Sequence, residues 1–181
     1  MKATGIVRRI DDLGRIVVPK EIRKTMRIRQ GDPMEIFINR EGEILLKKYS
    51  PIGELSEFAS SYAESLAQTT GYLVCITDLE AVIAAAGPRR KEFQGKPLDM
   101  MLTQLMEKRK TQMTSQKEDN LIRITPDDDR EYQAEAISTI ICSGDVIGSV
   151  VICGREEDSW QPEAMRQLIV TAAGFLGRQM E

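Results

Sequence analysis

The chain has 181 residues, 41% hydrophobic and 29% charged, with a formal net charge of −3, which is the profile of ordinary globular protein and excludes a disordered chain. No apolar run approaches the ~20 residues needed to span a bilayer. The N-terminal MKATGIVRRIDD holds no apolar core for a signal peptide, so a cytoplasmic protein without membrane contact is expected.

Residue types narrow the chemistry further. The sequence contains no histidine, which removes Ser-His-Asp and Cys-His catalysis and the common zinc hydrolase sites. Cys75, Cys142 and Cys153 lie in apolar runs without CxxC spacing and read as buried, reduced thiols, with no metal site and no cofactor expected. Charge is divided unevenly: residues 1–50 hold 12 Lys/Arg against 7 Asp/Glu, a net +5, and residues 51–181 hold 13 against 21, a net −8. A basic head on an acidic body suggests that the head meets a polyanion.

In chain order, Thr4 to Ile10 reads as a strand, Asp11-Asp12-Leu13-Gly14 as a turn, and Arg15 to Val18 as a second, β-branched strand. Pro19 ends that strand and opens a short helix through Met26. After the break at Gly31-Asp32-Pro33, Met34 to Ile38 and Glu43 to Lys48 form a hairpin across Asn39-Arg40-Glu41-Gly42. So small a unit buries little apolar surface, and a dimer that merges two such halves into one β core is the expected remedy.

The boundary falls at Tyr49-Ser50-Pro51, dividing the chain into domains 1–50 and 51–181. Ser50 suits an N-cap and Pro51 a first helical position, and Ile52, Leu55, Ala59, Tyr62 and Leu66 make a helical seam. Gly71 to Thr77 and Ala81 to Ala86 read as a strand pair, Gly87 to Lys91 as an exposed basic loop, and Pro97 as the start of a helix with Met101, Leu102, Leu105 and Met106 inward. An irregular segment follows, then two strands, Glu135 to Cys142 and Val146 to Cys153, and a helix from about Trp160 to Met180. The acidic run Thr125 to Asp129 reads as a solvated loop before a cation site.

The strings TGIVRRIDDLGRIVVPKEIRK (Thr4 to Lys24), GDPMEIFI (Gly31 to Ile38) and ILLKK (Ile44 to Lys48) closely resemble the AbrB family of swapped-hairpin transition-state regulators. The resemblance implies half of an intertwined β-barrel, completed by dimerisation, that lays basic loops against double-stranded DNA. It implies Arg8, Arg15, Arg23 and Lys24 as the DNA-contacting side chains, with Arg9 and Lys2 as further phosphate contacts. Guanidinium groups suit both phosphate and guanine edges, whereas Lys24 keeps the charge without the planar fork. From the residues alone, solvated charges paired with Asp11, Asp12 and Glu21 stay open as the alternative. Sequence preference would come largely from DNA shape, with an A·T-rich bias.

The second half resembles the GAF sensory fold, an antiparallel sheet flanked by helices, although PAS-type sensors share that element order; the fold class expected is therefore α+β. With its AbrB-like head and the terminal TAAGFLGRQM (Thr171 to Met180), the whole chain resembles regulators of sporulation genes in the forespore, which activate and repress. Met165, Leu168, Ile169, Ala172, Leu176 and Met180 form an apolar stripe, and Ala173, Gly174 and Gly177 leave room for close helix approach. A homotetramer joined through these helices is expected, and packing on the domain's own sheet is the alternative. An effector pocket would draw on Cys75, Thr77, Ile83, Ala85, Ile140 and Cys142, with the effector unidentified. Three rival functions stay open: an antitoxin, a partner-binding scaffold, and an enzyme in the second half, against which the missing histidine and phosphate loop weigh.

Overall fold

The computed structural model describes residues 5–26, 28–50, 56–115, 121–129, 131–155 and 160–180. The chain divides into two compact units, Met1–Tyr49 and Ser50–Glu181.

In the first unit, helix α1 (Lys20–Thr25) precedes an antiparallel hairpin of β1 (Met34–Ile38) and β2 (Ile44–Lys48), in register from Met34↔Lys48 to Ile38↔Ile44. Asn39 organises the connection, its Oδ1 accepting from the backbone N–H of Glu41 and Glu43 at 3.0 and 2.9 Å. Gly42 takes φ +81°, a left-handed value open to glycine.

The two N-terminal strands expected from the sequence are not paired. Residues 5–10 and 15–18 lie outside any ladder, on either side of a turn in which Asp11 N–H donates to Arg15 O at 3.0 Å. A strand needs a neighbour about 4.8 Å away, and the chain's own hairpin supplies none to these segments. The apolar side chains accordingly stand open: Val7 is 85% exposed, Val17 72% and Ile38 77%, and among the unit's described residues Pro19 alone is buried.

The second unit contains α2 (Ser56–Thr70), β3 (Leu73–Thr77), β4 (Val82–Ala86), α3 (Met100–Glu107), β5 (Thr111–Ser115), β6 (Ala134–Cys142), β7 (Asp145–Gly154) and α4 (Pro162–Gln179). The strands form one antiparallel sheet in the order β4-β3-β7-β6-β5. On one face, α2 and α4 bury Ala59, Ala63, Leu66, Ile169, Ala172 and Leu176 against Val74, Ile76, Val150 and Ile152. On the other, α3 and the segments before and after it cover Cys75, Ile137, Val151 and Cys153 with Phe93, Leu102, Met106, Ile124 and Tyr132. Strands covered on both faces read as continuous apolar runs, which explains LVCIT and GSVVIC. The architecture is α+β, an antiparallel sheet flanked by helices.

Three details differ from the expectation. Helix α3 starts at Met100, capped by Asp99, whose Oδ1 accepts from Met101 N–H at 2.8 Å; Pro97 bridges back to Ala81 instead. Met101 is 45% exposed, facing away from the core that Leu102, Leu105 and Met106 enter. The segment read as irregular contains β5, a polar edge strand with Met113 as its one apolar residue.

Candidate nucleic-acid interface and sensory cleft

Five basic side chains of the first unit lie on its turn and short helix. Arg8 and Arg9 lead into the Asp11–Gly14 turn, Arg15 leaves it, and Arg23 and Lys24 occupy α1; all five are exposed. Arg9, Arg23 and Lys24 form no ion pair among the described residues. Arg15 is tied internally, its Nε donating to Asp11 Oδ2 at 2.8 Å. The Asp11 carboxyl is held below its ordinary range, first by the backbone N–H of Arg15 and then by that guanidinium. Lys2 lies outside the described residues.

In the second unit the basic loop is not simply solvated. Arg89, in a left-handed conformation at φ +60°, is only 17% exposed through its side chain. It donates to Glu92 Oε2 at 2.5 Å and to Asp129 Oδ2 at 2.8 Å, joining loops forty residues apart. Those hydrogen bonds hold both carboxyls below the usual range and push the guanidinium's own pKa further up. The acidic run is therefore solvated only in part, chiefly at Asp127, whose side chain is 80% exposed. Asp129 pairs with Arg89, and Asp128 is buried, its Oδ2 accepting from Tyr132 Oη–H at 2.6 Å and Ile124 N–H at 2.9 Å. Among the described residues no group of three or more His, Cys, Asp or Glu could hold a metal ion.

The expected pocket lining does not converge. Cys75 and Ala85 face the α3 side of the sheet, whereas Ile83, Ile140 and Cys142 pack on the α2/α4 side; Thr77 is buried against Ser149, Oγ to Oγ, at 2.8 Å. The sheet's alternation sets Cys75 and Ala85 on one face and Ile140 on the other. A cleft of about 380 Å³ lies instead at the sheet's end, where α2 turns into β3 and β7 ends. Leu73, Tyr132 and Cys153 are buried residues of its lining, Tyr72 is half-buried, and Arg89, Glu131 and Arg155 supply its charge. The sequence held no signal for this grouping, which joins residues 72, 89, 131 and 155 from four segments. Burial pushes the thiols of Cys75 and Cys153 well up, so both stay protonated. Cys142, expected to be buried, is half-exposed and donates to Met180 O at 3.2 Å.

The terminal-helix stripe packs on its own sheet. Ile169, Ala172, Ala173 and Leu176 are buried there, with Met165, Leu168 and Met180 partly so. Gly177 lets α4 approach the carbonyl of Ile141 in β6. Beside the stripe lies a half-buried aromatic group, Phe58, Tyr62 and Phe175, with ring centroids 5.3–6.2 Å apart. Ile52 and Leu55 of the predicted seam lie outside the described residues.

Residues 54–181 match the profile of the family described as Stage V sporulation protein T C-terminal, transcription factor, and residues 7–54 that of Antidote-toxin recognition MazE, bacterial antitoxin. Stage V sporulation protein T of Bacillus subtilis (strain 168) is 45% identical over 181 residues, 100% of this chain and 99% of that protein. The transition state regulatory protein AbrB of the same strain is 53% identical over 51 residues, 28% of this chain and 52% of AbrB. A type II free methionine-R-sulfoxide reductase from Thermoplasma acidophilum shares the fold alone, with TM-score 0.52 and 16% identity over 70% of this chain and 94% of that one. Head and body together define a two-unit transcription factor with an AbrB-type DNA-binding domain and a second domain built on an antiparallel sheet flanked by helices. The chain belongs to the stage V sporulation protein T family and is a sporulation regulator.

Proposed function

We propose that two copies of residues 1–50 complete each other's β core and present Arg8, Arg9, Arg15, Arg23 and Lys24, with Lys2, to double-stranded DNA of A·T-rich sequence. The observation that carries this is a pairing of features in one small unit. Its apolar side chains are exposed beyond what a monomer tolerates, and among the described residues Arg8, Arg9 and Arg23 form no ion pair, whereas Arg15 is tied to Asp11. The first need calls for a second copy and the second for a polyanion. Residues 51–181 act as the sensory and oligomerising domain. The regulator works in the cytoplasm, activating some genes and repressing others, without catalysing a reaction.

Two further parts belong to this reading. The half-buried aromatic group of Phe58, Tyr62 and Phe175 joins bodies through α2 and α4, giving a tetramer built from head dimers; a dimer by light scattering at micromolar concentration would end that part. A small effector in the body changes DNA affinity through the oligomer. The antitoxin alternative is weaker, because the head is followed by a folded domain of the sporulation-regulator type and not by a toxin-wrapping tail.

The test is fluorescence anisotropy of an A·T-rich duplex across a salt series, with the full chain and an Arg8→Ala/Arg15→Ala/Arg23→Ala variant. Each neutralised phosphate contributes about 0.9 to the log–log salt slope, so losing three contacts in each of two heads lowers it by about 5. A full chain that binds no DNA at low salt would overturn the reading in favour of a partner-binding scaffold.

A further inference from the structure

We propose that the cleft at the end of the sheet binds a small monocarboxylate with a compact apolar body, held where the Glu131 carboxylate now sits between Arg89 and Arg155. This names the ligand class of the effector reading above and rests on that reading only for its consequence at DNA.

The argument starts from unequal ion pairs. Arg89 holds Glu92 and Asp129 at 2.5 and 2.8 Å, the short distances of charge-assisted hydrogen bonds. Glu131 is held loosely: its Oε2 lies 3.7 Å from Arg89 Nη1 and 3.3 Å from Arg155 Nη2, with its side chain 64% exposed. Two guanidiniums thus converge on one carboxylate oxygen without gripping it. An exposed pair of that geometry contributes little, so exchange for a better-seated carboxylate costs little.

The rest of the lining sets the ligand's other end. Leu73 and Cys153 are 6% and 3% exposed, and the tyrosine ring of residue 72 packs on Trp160 at 5.3 Å, so that part of the cleft is apolar and firmly seated. The Cys153 thiol is protonated, leaving no charge among these residues. At about 380 Å³ the cleft lies within the size range of small-ligand sites. Inorganic phosphate would meet the arginines but leave Leu73 and Cys153 uncovered, and an amine would meet the wrong charge. A carboxylate head on a branched aliphatic or single-ring body satisfies both ends.

The experiment is isothermal titration calorimetry on the full chain with isovalerate, 4-methyl-2-oxopentanoate and benzoate. Isovaleramide and inorganic phosphate serve as comparison titrants. At least one carboxylate should bind and the amide should not. Arg155→Gln should weaken that binding about tenfold or more, the worth of a hydrogen bond to a charged group. Glu131→Gln should strengthen it, because the internal competitor is gone. Arg155 and Glu131 are exposed, and an unchanged Trp160 fluorescence melt verifies that both variants fold. The proposal is overturned if no carboxylate binds up to 10-millimolar order, if Arg155→Gln leaves affinity unchanged, or if phosphate binds as tightly. Repeating the DNA titration with the bound carboxylate separates the two readings. Binding without any change in DNA affinity keeps the site and ends effector control, whereas absent binding ends the site and leaves the DNA-binding reading untouched.

Discussion

Gly174 and Gly177 stand three residues apart on α4, and replacing each with alanine should move stability in opposite directions. A Cβ on Gly174 would meet nothing within 4 Å, whereas one on Gly177 would run into the backbone carbonyl oxygen of Ile141. At 174 the substitution gains helix propensity and restricts the unfolded chain, about 0.5–1 kcal/mol in favour. At 177 the same gain is set against an overpacking cost of about 1–3 kcal/mol. The carbonyl cannot move aside freely, because Ile141 is paired to Val146 in β7. With about 2 cal/mol/K per residue over roughly 130 residues, 1 kcal/mol shifts the melting point by about 4 °C. Gly174→Ala should therefore raise Tm by about 2–4 °C, and Gly177→Ala should lower it by several degrees. Trp160 is the single tryptophan and lies in the second unit, so its fluorescence reports that unit's melting in the full chain. A Gly177→Ala protein as stable as wild type would refute the assignment of Gly177 to helix–sheet contact. A destabilised Gly174→Ala, with loss of oligomer by light scattering, would instead place Gly174 in a helix interface between copies.

The side chain of Gln94 imitates a neighbouring strand, its Oε1 accepting from Ala85 N–H at 2.7 Å and its Nε2 donating to Ile83 O at 2.9 Å. Gln94→Ala should cost about 1 kcal/mol in the Trp160 melt, since water reaches the freed groups, and Gln94→Glu should cost more, because a carboxylate faces the Ile83 carbonyl. The carboxyls of Asp129 and Glu92 are held below their unfolded value of about 4. Their stabilisation is thus present at neutral pH and lost as pH falls through the lowered folded values. The wild-type Tm should drop below about pH 4, and in Arg89→Met that dependence should flatten; an unchanged slope would show the cluster is inert. In the head, Val7→Asp/Ile36→Asp should abolish dimerisation and DNA binding while leaving the Trp160 melt in place. Retained dimers by sedimentation equilibrium would mean those side chains face solvent and the core lies elsewhere.

Where the sequence was legible, a local rule sufficed. Asn39 and Gly42 mark the β1–β2 turn, and Ser143-Gly144, both at positive φ, mark the β6–β7 turn. The spacing of Ala59, Ala63 and Leu66 gives the buried face of α2. What escaped depended on distant partners. The strand β5 is legible only beside β6, because TQMTS lacks an apolar face of its own. Cys75 and Ile140 both sit in apolar runs, and strands buried on both faces carry no alternation to say which side a residue takes. Arg89 reads as part of a solvated basic loop because only Glu92 is near it in sequence, whereas Asp129 and Glu131 follow about forty residues later. The segments flanking Asp11 read as strands from β-branched composition, yet pairing needs an edge that lies outside this hairpin.

The two units solve the burial problem in unequal ways, and that inequality suggests how regulation could be built into the chain. The body buries two continuous cores of its own, one on each face of its sheet. The head buries almost nothing alone, so on the reading proposed above its DNA-binding surface exists only as fast as two heads find each other. Tethering heads to bodies that associate raises their effective concentration without any new contact at DNA. On that same reading, body association sets the gain of the heads: strengthening it steepens DNA binding, and weakening it lets the heads come apart. An effector would not need to reach the arginines. It would need only to bias how the bodies associate, a smaller task for a cleft at the end of a sheet whose strands run into α2 and toward α4.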